Sequence, residues 1–144
     1  MIVDVNLLLI ESGKVLLGRR RNTGYEDGKF HLPAGHVEAG ETAVGALLRE
    51  AREELGITID PEQIRFSFLL DDSSDQGRLR LFFSAAKWIG SIQNLEPEKC
   101  ELLEWFNLND LPANLVAHVR YVIERSVAGE VFGRYARETS VHPT

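Results

Sequence analysis

Three carboxylates, Glu50, Glu53 and Glu54, crowd the end of the stretch GHVEAGETAVGALLREAREELGI, which runs from Gly35 to Ile57. Side chains three and four apart on a helix are neighbours, so on a helical reading Glu50 faces both Glu53 and Glu54, and the like charges repel. The negative end of the helix dipole lies close by and disfavours further anions. Local rules broken without local gain point to a functional site. A hard divalent cation removes the conflict, because such ions take carboxylate oxygens as ligands.

The elements that must position these groups can be read outward from them. Thr42 is the N-cap of a helix ending near Leu55, and Gly56 suits the left-handed position that follows a helix. Val44, Leu48, Ala51 and Leu55 form one apolar stripe, with Ala43 and Leu47 beside it. Glu50, Glu53 and Glu54 lie largely off that stripe, so the helix can bury one side and present anions on another. Upstream, Val3 to Glu11 reads as a mostly buried strand, Ser12-Gly13 as a turn and Lys14 to Arg20 as the returning strand. Arg21 to Phe30 is polar and reads as a surface loop, and His31-Leu32-Pro33 as a short extended piece.

Downstream, Ile64 to Leu70 is a strand, Asp71 to Gly77 an acidic loop and Arg78 to Trp88 the antiparallel partner. Leu102 to Leu108 forms another short strand. Val116, Val119, Val122, Ile123 and Val127 mark a helix from Leu115 to Val127, with Asn114 placed to cap it. The tail from Arg134 onward is polar and is expected to fray. Strands interleaved with two helices predict an α/β fold, a mixed sheet between helices in a single domain over residues 1–144.

Composition excludes several classes. A net charge of −6 argues against binding nucleic acid polymers, although a bound metal and a few arginines can reverse the field locally for a small anion. The single cysteine, Cys100, rules out an internal disulfide or a cysteine-based zinc cluster, which makes the cytoplasm the default location. His31, His36, His118 and His142 form no His-x-x-x-His pair, so zinc hydrolase chemistry is not expected. No apolar run approaches the roughly 20 residues that span a bilayer, and the start MIVDVNLLLIESGK lacks the features of a signal peptide.

Around the carboxylates the chain resembles the Nudix hydrolase family. The family signature is Gly, five residues, Glu, seven residues, Arg-Glu, an aliphatic residue, any residue, Glu-Glu, any residue, Gly and an aliphatic residue. Gly35, Glu41, Arg49-Glu50, Ala51, Glu53-Glu54, Gly56 and Ile57 fill every fixed position. Ala34 stands where many members have a second glycine, a mild departure. The resemblance implies a Nudix-type α/β/α sandwich and cleavage of a phosphoanhydride with Mg²⁺, or Mn²⁺ in its place. It implies that Glu53 and Glu54 are direct metal ligands and that Glu50 is a ligand or the base for the attacking water. Glu41 would support the metal shell, Arg49 would orient carboxylates by bidentate pairing, and Gly35 would let backbone approach the metal closely. Such chemistry needs charge neutralisation and a positioned water more than a covalent intermediate.

Within that family the N-terminal half is similar to MutT-type nucleoside triphosphate pyrophosphohydrolases. Val15-Leu16-Leu17-Gly18-Arg19-Arg20 parallels their strand ending in two arginines, which makes Arg20 a candidate phosphate or sugar contact, with Tyr25 and His31 lining the pocket. Asn114, just after Leu111-Pro112, would read a purine edge by the same resemblance, since a carboxamide both donates and accepts. Glu96 and Glu98, in the acidic loop before the last strand, are further candidates. The expected function is hydrolysis of a nucleoside triphosphate, oxidised purines included, to the monophosphate and pyrophosphate. The partner is then a small nucleotide rather than a nucleic acid polymer or a membrane, and the protein a monomer or homodimer. Hydrolysis of ADP-ribose or another nucleoside diphosphate compound is the alternative. Such enzymes commonly carry a longer N-terminal region, whereas the first core strand here begins at once. A non-catalytic nucleotide-binding module is a third reading.

Overall fold

The computed structural model describes residues 1–74 and 77–136. Strand β1 (Ile2–Glu11) turns at Ser12-Gly13 into β2 (Lys14–Arg20). The two pair only at the tip, Ile10 with Val15 and Glu11 with Lys14, and then diverge. Short strands fill the gap. β3 (Phe30–His31) pairs with β2, and β4 (Ala34–His36) pairs with β1. Helix α1 (Ala43–Leu55) follows, then β5 (Arg65–Asp72), β6 (Arg78–Ala85), β7 (Cys100–Asn107), helix α2 (Ala117–Val127) and β8 (Phe132–Tyr135).

The sheet runs in the order β3-β2-β1-β6-β5-β8, with β4 on β1 and β7 on β2. β1 with β6 and β5 with β8 are parallel pairs, and the others are antiparallel, so the sheet is mixed. Each face carries one helix. Ala46, Leu47, Ala51 and Leu55 of α1 pack on Val5, Leu7, Leu9 and Leu16. Val119, Val122 and Ile123 of α2 pack on Leu8, Val15, Leu17 and Phe68 on the opposite side. Leu47 and Leu55 are fully buried, which contributes roughly 1.5–3 kcal/mol each. The fold is the expected α/β/α sandwich.

The helix that carries the carboxylates is held at both ends. The Thr42 hydroxyl accepts from the Gly45 amide at 2.9 Å. Gly56 takes a left-handed φ of 71°, its amide donating back to Ala51 and Arg52 carbonyls. The last carbonyls, of Glu54 and Leu55, accept from the Leu95 and Gln93 amides, so the loop after β6 is stitched to the acidic end of α1.

Three local expectations are corrected. β5 extends through Asp71 and Asp72 because these pair with Leu79 and Arg78 of β6, an attachment that outweighs their polar, loop-forming character. α2 begins at Ala117 after Val116, with no side-chain cap; Asn114 does not cap it. Arg134 and Tyr135, expected in a fraying tail, belong to β8 and lie alongside Asp71 and Asp72 of β5. The rest of that expected tail, residues 137–144, lies outside the described residues. No helix among the described residues is long and apolar enough to cross a membrane.

Candidate active site

Because β1 and β2 splay, a cavity of about 750 Å³ opens between them, roofed by α1 and walled by loops. Gly35, Arg49, Glu50, Glu53 and Glu54 line it, as do Arg20, Tyr25 and His31. Sequence reasoning thus named residues of β2, the loop after it, β3, β4 and α1 that the fold brings to one cavity. Three named residues, Glu41, Asn114 and Glu98, are not in its lining. Glu41 stands behind it, bonded to Arg49. The Asn114 side-chain amide donates to the Gly28 carbonyl at 3.0 Å and its backbone carbonyl accepts from the Phe30 amide, so it ties the 21–29 loop to the segment before α2. Glu96 lines the cavity whereas Glu98 does not.

Arg49 is the centre of the acidic cluster. Its Nε and Nη2 grip both oxygens of Glu41 at 2.7 and 2.9 Å, and Nη1 donates to Glu50 at 2.6 Å and Glu53 at 3.3 Å. Nη2 also donates to the His36 carbonyl. This bidentate grip, helped by the Glu38 backbone amide, lowers the Glu41 carboxyl to about 2. The same partner raises Arg49 above its ordinary range. Glu54 is in the opposite condition. Burial, and then the neighbouring Glu50 carboxyl, push its pKa well above the usual carboxylate range, while the Ala34 amide pulls weakly the other way. Burial also raises Glu96 nearby.

Gly35 is close to Glu50 for a steric reason. A Cβ at residue 35 would overlap the Glu50 carboxyl and Cγ, so only glycine lets β4 lie against that side chain. Among the described residues no three His, Cys, Asp or Glu side chains are gathered closely enough to hold an ion as they stand. The reason is visible: the Arg49 guanidinium sits among Glu41, Glu50 and Glu53 and satisfies part of their charge. One cation against four carboxylates leaves an excess, and it falls on Glu50, Glu53 and Glu54 at the cavity. That donor set, hard, anionic and short of positive charge, suits a hard divalent cation.

Arg20 is held in place elsewhere in the lining. Arg20 Nε donates to the Tyr25 carbonyl at 2.7 Å, Nη2 to the Thr23 hydroxyl at 3.0 Å, and the guanidinium lies 5.2 Å from the Tyr25 ring centroid. The loop is shaped by Asp27, which accepts from the Thr23 and Gly24 amides and from the Thr23 hydroxyl. Arg21 donates to the Pro97 carbonyl and Asn22 to the Glu98 carbonyl, which joins this loop to the one that precedes β7. His31 is buried, which lowers its pKa to about 4, so the ring is neutral near pH 7. A carbonyl can only accept, so Nδ1 carries the proton and donates to Leu32.

The floor was missed by sequence reasoning. Asp4 and Asn6 of β1 and Arg78 and Arg80 of β6 also line the cavity. Asp4 meets His36 at 2.5 Å, Arg78 at 2.8 Å and Arg80 at 3.1 Å, and Arg80 reaches Asp72 at 2.8 Å. A signal existed: polar residues at alternate positions of otherwise apolar strands, Asp4 and Asn6 in β1 and Arg78 and Arg80 in β6, place a charged set on one sheet face.

A mixed sheet sandwiched between two helices, with a loop-and-helix cassette turning surplus carboxylates towards an arginine-walled cavity, defines the class of phosphate-handling α/β/α sandwich. The model of the NUDIX domain matches residues 2–126, and the chain belongs to the Nudix family. It is similar to an ADP-ribose pyrophosphatase from Methanocaldococcus jannaschii, 29% identical over 83% of this chain and 70% of that protein. It is also similar to the 8-oxo-dGTP diphosphatase of Escherichia coli K12, 28% identical over 74% of this chain and 82% of that one. The crystal structure of a MutT NUDIX hydrolase from Burkholderia pseudomallei superposes with a TM-score of 0.77 at 29% identity, covering 85% of this chain and 95% of the other. Other relatives are far longer: the chain spans 23% of one from Caenorhabditis elegans and 28% of one from Homo sapiens.

Proposed function

We propose that this chain is a divalent-metal-dependent pyrophosphohydrolase that cleaves a nucleoside triphosphate to the monophosphate and pyrophosphate. The observation that carries this reading is the uncompensated acid at the cavity: Glu50 seated against Gly35, with Glu54 buried beside it, its pKa raised first by that burial and then by the Glu50 carboxyl. Glu50, Glu53 and Glu54 would hold Mg²⁺, or Mn²⁺, with the Gly35 backbone close by and Glu41 supporting the shell through Arg49. Bound there, the ion would neutralise the polyphosphate and acidify a water.

This chain's own residues do the rest. Arg49 keeps Glu50 and Glu41 in place, so the carboxylate nearest Gly35 does not swing into solvent. Glu50 or Glu53 accepts the proton of the attacking water at a carboxylate oxygen. Arg20, already fixed by Thr23 and Tyr25, presents positive charge to the phosphates, and Tyr25 and His31 border the nucleoside. A neutral His31 adds no competing charge.

The similarity to the 8-oxo-dGTP diphosphatase, which spans most of that protein, supports a triphosphate. The comparable similarity to an ADP-ribose pyrophosphatase supports a second reading, hydrolysis of a nucleoside diphosphate compound. The deciding experiment incubates the protein with nucleoside triphosphates and with ADP-ribose, adds Mg²⁺ or excess EDTA, and identifies the products. Monophosphate plus pyrophosphate is expected. AMP plus ribose 5-phosphate from ADP-ribose alone favours the second reading. Full turnover in excess EDTA excludes the metal-dependent reaction.

A further inference from the structure

We propose that Asn6 reads the nucleobase of the bound nucleotide, an inference that rests on the cavity being a nucleotide site. The alternation of β1 sends Val5, Leu7 and Leu9 towards α1 and turns Asp4, Asn6 and Leu8 to the other face. There Leu8 enters the core, whereas Asp4 and Asn6 line the cavity. Asn6 is 1% exposed, yet neither its Nδ2 nor its Oδ1 has a hydrogen-bond partner. Buried carboxamides are ordinarily paired, and an unpaired one costs stability.

The surroundings do not supply the missing partners. Asp4 is committed to His36, Arg78 and Arg80, Asp72 to Arg80 and Ser74, and His31 Nδ1 to the Leu32 carbonyl. The side chain that keeps an open donor and an open acceptor thus belongs to a residue in the lining of the cavity, its amide buried at that surface. An amide offers these two functions side by side, so its complement is an edge with an adjacent acceptor and donor. Nucleobases carry such an edge. A phosphate offers acceptors alone; Arg20 and the acidic cluster line other parts of the cavity, and Arg78 and Arg80 beside Asn6 are already bonded to Asp4 and Asp72. A cavity of about 750 Å³ is large enough for a base and a polyphosphate together. Keeping an unsatisfied amide in a sheet is the trade of stability for function expected at a binding site.

The test is calorimetric titration of the full chain in EDTA, which reads base binding without hydrolysis. The probes are AMP, GMP, CMP, UMP and ribose 5-phosphate. The wild-type chain is expected to bind at least one monophosphate about tenfold more tightly than ribose 5-phosphate, and Asn6→Leu to lose that preference, as removal of one bidentate contact predicts. Asn6→Leu should also melt at a higher temperature, a result that a merely structural hydrogen-bonding role would reverse. Asn6→Asp, which keeps the shape and removes the donor, gives a second reading of the same preference. The inference is overturned if both variants keep the wild-type preference, or if the wild-type chain binds the monophosphates no better than ribose 5-phosphate. Base preference that depends on Asn6 in a chain that hydrolyses no nucleotide would support this inference and remove the hydrolase reading instead.

Discussion

Two charged clusters border the same cavity, and they are built on opposite principles. On the sheet floor, Asp4 and Asp72 face Arg78 and Arg80, two anions against two cations, with His36 at the edge. All of Asp4, Asp72 and Arg80 are buried, and their ion pairs link β1, β6 and β5 to one another and to β4. On α1 and just before it, Glu41, Glu50 and Glu53 share one arginine, Arg49, with Glu54 beside Glu50, and Glu53 keeps 54% of its side chain exposed. Among the described residues the first cluster matches charge with charge and holds strands together. The unbalanced one is left short of positive charge, and that shortage is what a cation can use.

Breaking the floor should produce the largest effect on stability. Arg80→Met strands Asp72 and weakens Asp4, and loss of one partner from a buried ion pair costs about 3–5 kcal/mol. Thermal or urea unfolding checks this. A loss below about 1 kcal/mol would mean that the floor is not the brace described here.

The helix cluster should respond in the reverse sense. Glu53→Gln removes one anion from a crowded, exposed position, so stability should hold or rise slightly. Turnover with Mg²⁺ should fall by about 10²–10³-fold, the scale of losing one electrostatic stabiliser. Unchanged kcat beside an unchanged melting curve would remove Glu53 from the site.

His31 sharpens the contrast through pH. Burial lowers its pKa from 6.5 to about 4, so the unfolded chain takes up a proton before the folded one does as pH falls. Its contribution is complete above pH 6.5 and is lost between 6.5 and about 4, a change of roughly 3 kcal/mol. His31→Leu should flatten that part of the stability profile, and a slope equal to wild type would show that another group titrates there.

Thr42→Ala should give the smallest effect. Loss of the hydroxyl that caps Gly45 costs about 1 kcal/mol and loosens the start of α1. Because the carboxylates lie at the far end, near the Gly56 cap, kcat should change less than twofold. A larger drop would show that the whole helix, rather than its last turns, sets the site.

Much of the scaffold was legible because its signals are local. β2 ends where its apolar run meets Arg19-Arg20, and α1 is bounded by Thr42 and Gly56, each acting within a few residues of itself. β8 and the extension of β5 were not legible. Their polar residues are strand only because a neighbour supplies hydrogen bonds, and that neighbour is far away in sequence. Asn114 shows the same limit. Its place before an apolar helical pattern suits a cap, but tertiary contact gave its amide the Gly28 carbonyl.

The sequence alone determined the chemical inventory: the acids at Glu41, Glu50, Glu53 and Glu54, the arginine among them, and the glycine at residue 35. These follow from residue type and helical spacing, which local geometry converts directly into neighbours. Only the tertiary structure decided how their charge is shared, with Arg49 gripping Glu41 while Glu54 is left buried beside Glu50. Only it put Asp4, Asn6, Arg78 and Arg80 beneath them. Burial and electrostatic balance depend on every segment that reaches a point in space, and β1, β6 and α1 meet at this cavity from distant parts of the chain.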